Sequence, residues 1–163
     1  MAHSIDICLN PSLPDPSGRR LKARIASDLG ITVDDVRIAD EYLIDLTLDS
    51  NQLKLLVEEV FQDPVTQRAA VDKALDLPFD WLIEVGYRPG VTDNVGRTAR
   101  EAVTRTLGLG SASGQVVFTR KLHFLKGNLS REQVSGIARG LLANDLIQTW
   151  TVYESGETRG AAT

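Results

Sequence analysis

Apolar residues occupy alternate positions at the start of the chain: Ile5, Ile7 and Leu9 share one side, with polar or small residues between them. A period of two predicts a half-buried strand, and Pro11 and Pro14 end it. The period then lengthens. Leu21, Ile25 and Leu29 recur at helical spacing, with Asp15 placed to cap the helix, Pro16 at its first position and Gly30 just past its end. Val36 and Ile38, then Tyr42, Ile44 and Leu46, return to a period of two, and a short turn near Asp40 predicts a two-stranded hairpin. Asp49-Ser50-Asn51-Gln52 has the spacing of a capping box. Leu53, Leu56, Val57, Val60 and Phe61 form the apolar face of a second helix, which Asp63-Pro64 terminates. Gln67 to Val71 predicts a further strand.

The same pattern is written twice. Ile83, Val85 and Tyr87 match Ile5, Ile7 and Leu9 at a spacing of 78, as Ala99, Val103, Leu107 and Gly108 match Leu21, Ile25, Leu29 and Gly30. The hairpin positions Val36, Ile38, Tyr42 and Ile44 align with Val116, Phe118, Leu122 and Phe124 at a spacing of 80. Ser130-Arg131-Glu132-Gln133 repeats the capping box. Val134, Ile137, Ala138, Leu141 and Leu142 follow at 81. Locally the strongest match is Pro-x-(Leu/Val)-x-Asp-x-x-Gly-Arg, ending at Arg19 and again at Arg97. Repeats of this length read as duplicated structural units. Each half therefore predicts β-α-β-β-α-β, an α+β fold of two ferredoxin-like-related repeats: one over residues 1–75, one over 79–155, and a flexible tail over 156–163. A unit of this size is marginal alone because it buries a modest share of its surface. The expectation is that the copies pack against each other around a pseudo-two-fold axis, as a pseudo-dimer within one chain.

Composition removes several function classes. The net charge is −4 over 163 residues, which is not the electrostatic footprint of a nucleic-acid binder. No apolar run has the length of a membrane span. The single cysteine, Cys8, lies on an apolar strand and gives no reason to expect an oxidising compartment, so the expected location is the cytoplasm. His3 and His123 are far apart; His3 is expected to be solvated and His123 to sit at a surface strand position, opposite Leu122 and Phe124. They do not make a zinc site, and no metal is expected. Gly108 to Gly114 follows a helix and lacks the Lys-Ser/Thr ending of a phosphate loop, so it reads as a flexible connection. Arg19, Arg20, Lys22 and Arg24 read as a solvated helix face.

The order of these motifs resembles the PurS family, the small subunit of phosphoribosylformylglycinamidine synthase. The residues that carry the resemblance are Asp15-Pro16-Ser17-Gly18, Val36-Arg37-Ile38 and Phe61-Gln62-Asp63-Pro64-Val65 in the first half. In the second they are Pro89-Gly90-Val91-Thr92-Asp93, Gly96, and Leu141 to Ile147. The tandem arrangement is also similar to the N-terminal region of the large single-chain form of that enzyme. Asp145 departs from the family, which has proline there. The resemblance implies a component of a purine-biosynthesis ligase that carries no catalytic residues or cofactor itself, although the complete enzyme uses ATP, Mg and glutamine. It implies as partners the synthetase large subunit and the glutaminase subunit, bridged by this chain so that ammonia passes between them. An alternative from the residues alone is a tandem regulatory module that binds a small molecule between its copies.

One stretch is singled out for partner contact. Asp93 suffices to cap the helix it precedes, which leaves Asn94, Arg97 and Arg88 surplus to folding at a helix start that favours anionic groups. Gly18 and Gly96, at matching positions of poor helix propensity, suggest that another backbone passes close by.

Overall fold

The computed structural model describes residues 2–110 and 116–159. The chain is α+β: a six-stranded antiparallel sheet carrying four α-helices. The first half gives β1 (His3–Leu9), α1 (Pro16–Leu29), β2 (Asp35–Ile44), α2 (Ser50–Leu56) and β3 (Gln67–Val71). The second gives β4 (Trp81–Tyr87), α3 (Asn94–Thr106), β5 (Val117–Lys126), α4 (Arg131–Ile137) and β6 (Gln148–Glu154). The strand order is β3-β1-β2-β5-β4-β6, so β2 and β5 meet at the centre and the halves join edge to edge in one sheet.

The expected hairpins are absent. Each is one continuous ten-residue strand, β2 or β5, and each half reads β-α-β-α-β. Ala39-Asp40-Glu41 contains no glycine, proline or asparagine to reverse the chain, and Ala39 and Glu41 are buried at strand positions. The expected spacing of 80 is also off by one. Asp15 accepts from the Ile38 amide and Asp93 from the Thr119 amide; a Cβ on Gly18 would meet the Val36 carbonyl and one on Gly96 the Val117 carbonyl. Thr119 and Val117 lie 81 positions after Ile38 and Val36. A slip of one residue exchanges the faces of a strand. Val117 and Leu125 therefore face the helices, with Thr119 and His123 between them, while Phe118, Leu122 and Phe124 face away.

All four helices cover one face. Leu21 and Ile25 of α1 pack with Val134 and Ile137 of α4, and with Ala138 just after it, over Val36, Ile83, Val85 and Leu125. Ala99 and Val103 of α3 pack with Leu56 of α2 over Ile5, Ile7, Ile44 and Val117. Each cluster thus draws on both halves. The segments Val57–Phe61 and Ala138–Leu142, expected as the ends of the second and fourth helices, are single π-helical turns. They end at Gln62 and Ala143, both in extended backbone.

The opposite face is covered by the connector between the halves. Leu75, Leu77 and Phe79 lie on Cys8, Ala39, Leu82, Leu122 and Phe124, with the Phe79 and Phe124 rings 5.4 Å apart. His123 is a correction. It is 6% exposed among core residues, with Nδ1 3.1 Å from the Ile83 carbonyl, and burial drives its pKa down to about 4. At the centre of the sheet Asp40 pairs with Lys121 in register, and their side chains meet at 2.6 Å.

Candidate functional site

The helix start singled out in the sequence is built by Asp93. Its Oδ1 accepts from the Gly96 amide at 2.8 Å, and its Oδ2 accepts from the amide and hydroxyl of Thr119, both at 2.8 Å. One carboxylate therefore caps α3 and ties it to β5, which accounts for its 5% exposure. Asp93 is spent on the fold and does not face outward. Asp15 does the same for α1, bonding the amides of Gly18 and Ile38. The backbone that passes close to Gly18 and Gly96 is that of the next strand in the same half. Arg88, Asn94 and Arg97 are each exposed. The Arg88 Nε donates to the Asp145 carbonyl at 2.8 Å, holding the turn against the loop before β6. Of the glycine-rich connection, residues 111–114 lie outside the described residues, and Gly108 takes the left-handed conformation at φ 68°.

On the face away from the helices lies a cluster that the sequence reading did not single out. Asp6, Glu41 and Glu84 project from β1, β2 and β4 and are 2%, 3% and 9% exposed. Two arginines pair with the two glutamates. Arg120 of β5 lies across from Glu41 in register, and its Nη1 donates to Glu84 at 2.5 Å. Arg159, from the segment expected to be a flexible tail, reaches in over the sheet. Its Nη2 and Nη1 donate to the two carboxylate oxygens of Glu41 at 3.0 and 3.2 Å, and its Nε donates to Glu84 at 3.0 Å. The two-pronged contact is the strong form of an arginine–carboxylate pair.

The third carboxyl has no cation of its own. The Asp6 Oδ1 has no hydrogen-bond partner, and the nearest Arg159 nitrogen stands 3.9 Å from Oδ2. Burial first, then the hydrogen bond to Glu41, push the Asp6 pKa up to about 9. Burial alone would also raise Glu41, but hydrogen bonds from Asp6 and Arg159 outweigh it and hold Glu41 below the usual carboxylate range. At neutral pH Asp6 is thus the protonated member and donates to Glu41. Two carboxylates then balance two guanidinium groups. Such a network can lock strands and tail together; it presents no nucleophile beside a base.

The sequence does carry a signal for this cluster. Asp6 and Glu84 are matched at the spacing of 78, and each interrupts an otherwise apolar strand. An acid kept at the same inward position in both copies marks a buried polar site. Glu41 and Arg120 were hidden by the expected hairpin, which placed both at turns, and Arg159 by the expected tail.

Two hollows flank the cluster. One of about 540 Å³ lies over the second half, bounded by the turn at Arg88 to Val91, Phe118, Arg120, Thr149 and Thr151. Another of about 420 Å³ lies between the connector and the Arg159 segment, with Asp6 at its base. Among the described residues no group of histidine, cysteine or acidic side chains could hold a metal ion, and no helix is long and apolar enough to cross a membrane. No protein-family model matches the chain, and no curated protein matches it.

Proposed function

We propose that the chain is a PurS-like, non-catalytic component of phosphoribosylformylglycinamidine synthase, and that it bridges the glutaminase and synthetase parts of that enzyme. On this reading residues 1–75 and 79–155 are two PurS-like repeats packed as a pseudo-dimer. Each is a relative of the ferredoxin-like fold in which the inner hairpin is opened into one long strand.

The observation that carries the reading is the doubled helix start: Asp15 with Gly18, and Asp93 with Gly96, each tying a helix to the long central strand of its half. These are the residues on which the sequence resembles the family. The side-by-side sheet also suits a bridging role, because it presents two similar surfaces in one rigid body. Arg88, Asn94 and Arg97 are the exposed part of the second copy's helix start and form the proposed contact with a partner.

The test is reconstitution. The purified chain is mixed with the separate synthetase and glutaminase components, and amidine formation is followed with glutamine or with ammonium as nitrogen donor. The expected result is a complex on gel filtration and glutamine-supported synthesis that requires the chain, with ammonium-supported synthesis much less dependent on it. Equal glutamine-supported rates with and without the chain, and no complex, would overturn the proposal.

A further inference from the structure

On the sheet face away from the helices, the two halves differ beside the turn that follows β1 and β4. In the first half the turn Asn10–Leu13 is plugged from within. Arg37 of β2 reaches across, and its Nη2 donates to the Pro11 carbonyl at 3.0 Å and the Leu13 carbonyl at 2.5 Å. At the matching position in the second half stands Phe118, 41% exposed, and the space beside it is the cavity of about 540 Å³. Neighbouring differences act in the same sense. Gly86 replaces Cys8 in the floor, while Thr149 and Thr151 replace Arg68 and Ala70 along one wall.

The turn itself is changed. Both copies close with the same bond, Leu13 N to the Asn10 carbonyl at 2.8 Å and Val91 N to the Arg88 carbonyl at 3.1 Å. Gly90 has φ 83°, whereas Ser12 keeps a negative φ. The second turn is therefore of type II where the first is of type I, and its central peptide is reversed. The Gly90 N–H points where the Pro11 carbonyl points in the first half, toward the cavity. A carbonyl that receives a guanidinium has been exchanged for a donor.

We propose that this cavity binds a small organic anion, a carboxylate or phosphate ester that also carries hydroxyl or amino groups. The Gly90 N–H and the guanidinium of Arg88 receive the anionic group. Phe118 covers the body of the ligand, and the hydroxyls of Thr149 and Thr151 bond its polar atoms along the wall. Asp45, exposed at the opposite rim, accepts from the ligand's own donors. Glu84 and Arg120 at the inner end neutralise each other. Arg88 is shared with the proposed partner contact, but Gly90, Phe118, Thr149 and Thr151 are not, so the site can be tested on the chain alone.

The test uses the isotope-labelled chain and follows backbone amide resonances during titration with glycerol 3-phosphate, L-glutamate, inorganic phosphate and guanidinium. The expected result is a saturable shift of the Gly90 and Phe118 amides with glycerol 3-phosphate or glutamate. Inorganic phosphate should bind about tenfold more weakly and guanidinium not at all. Phe118→Arg rebuilds the plug of the first half and should weaken binding by about tenfold or more. Gly90→Ser rebuilds its turn and should do the same, so either variant serves if the other fails to fold. Any of four outcomes would overturn the proposal. These are no saturable shift from the anions up to about 10 mM, binding of guanidinium instead, inorganic phosphate binding as tightly as the organic anions, or shifts that survive in a folded variant.

Discussion

At the scale of single residues, space and protons decide what each position tolerates. A Cβ on Gly96 would stand 2.6 Å from the Val117 carbonyl, and one on Gly18 would stand 2.0 Å from the Val36 carbonyl. Gly96→Ala and Gly18→Ala should each lose about 1–3 kcal/mol through overpacking, even though alanine is the better helix former. Gly136, in α4 with nothing near its Cβ, is the control: Gly136→Ala should gain up to about 1 kcal/mol in denaturant unfolding. Asp6 and His123 predict opposite pH responses. The folded Asp6 carboxyl keeps its proton up to about pH 9, whereas an unfolded one loses it near ~4. Its contribution to stability is complete below ~4 and is lost as pH rises toward about 9, so Asp6→Asn should flatten stability across that window. His123 takes up a proton only near pH 4 when folded and near ~6.5 when unfolded, so its contribution is complete above ~6.5 and is lost as pH falls toward about 4. His123→Gln should flatten that acid limb, as read from melting temperatures over a pH series. Changing Asn94 and Arg97 to alanine together should leave melting unchanged, since neither side chain is used by the fold, and under the proposed bridging role it should weaken binding to the synthetase and glutaminase components. Normal binding by the double variant would remove this surface from the bridge.

The elements show which parts of the fold could be read from the chain. Strands β1 and β4, helices α1 and α3 and all four helix caps were legible because alternation, capping residues and terminal glycines act locally. The duplicated acids in β1 and β4 were legible in principle too. The central strands were not. Asp40, Glu41, Arg120 and Lys121 break the apolar alternation in the middle of β2 and β5, and a break of that kind reads as a turn. What keeps the strands straight is tertiary: each residue of β2 from Asp35 to Ile44 is paired across the seam to β5, and Glu41 is matched by Arg120. Burial and ion pairing thus override a local pattern, and the one-residue error in spacing follows from it. The π-helical turns were also beyond reach, because Leu53 to Phe61 and Val134 to Leu142 satisfy the helical period throughout. The Asp93 cap holds α3 to β5 as well as to itself, so Asp93→Ala should cost more than the ~1 kcal/mol of an ordinary cap. A melting temperature as high as that of the parent would show that the tie is dispensable.

For the molecule as a whole, the controlling fact is that neither helical layer belongs to one half. Leu21 and Ile25 lie with Val134 and Ile137, and Ala99 and Val103 lie with Leu56. Residues 1–78 expressed alone would expose β2 and half of each layer. That fragment should be unfolded or should pair with a second copy of itself, as read by circular dichroism and gel filtration. A folded monomeric fragment would contradict the interleaving. The same arrangement bears on history through Asp40 and Lys121. In the spacing of 81 these are corresponding residues, and they face each other at the middle of the seam. In an ancestor made of two identical chains, whatever stood at that position would have met its own duplicate. An aspartate would have met an aspartate, and a lysine a lysine, so no attraction of opposite charges could have existed there. Only where the two positions are encoded separately can one be acidic and the other basic. The ion pair at the centre thus belongs to two unlike halves, and it disfavours any pairing of two equal partners.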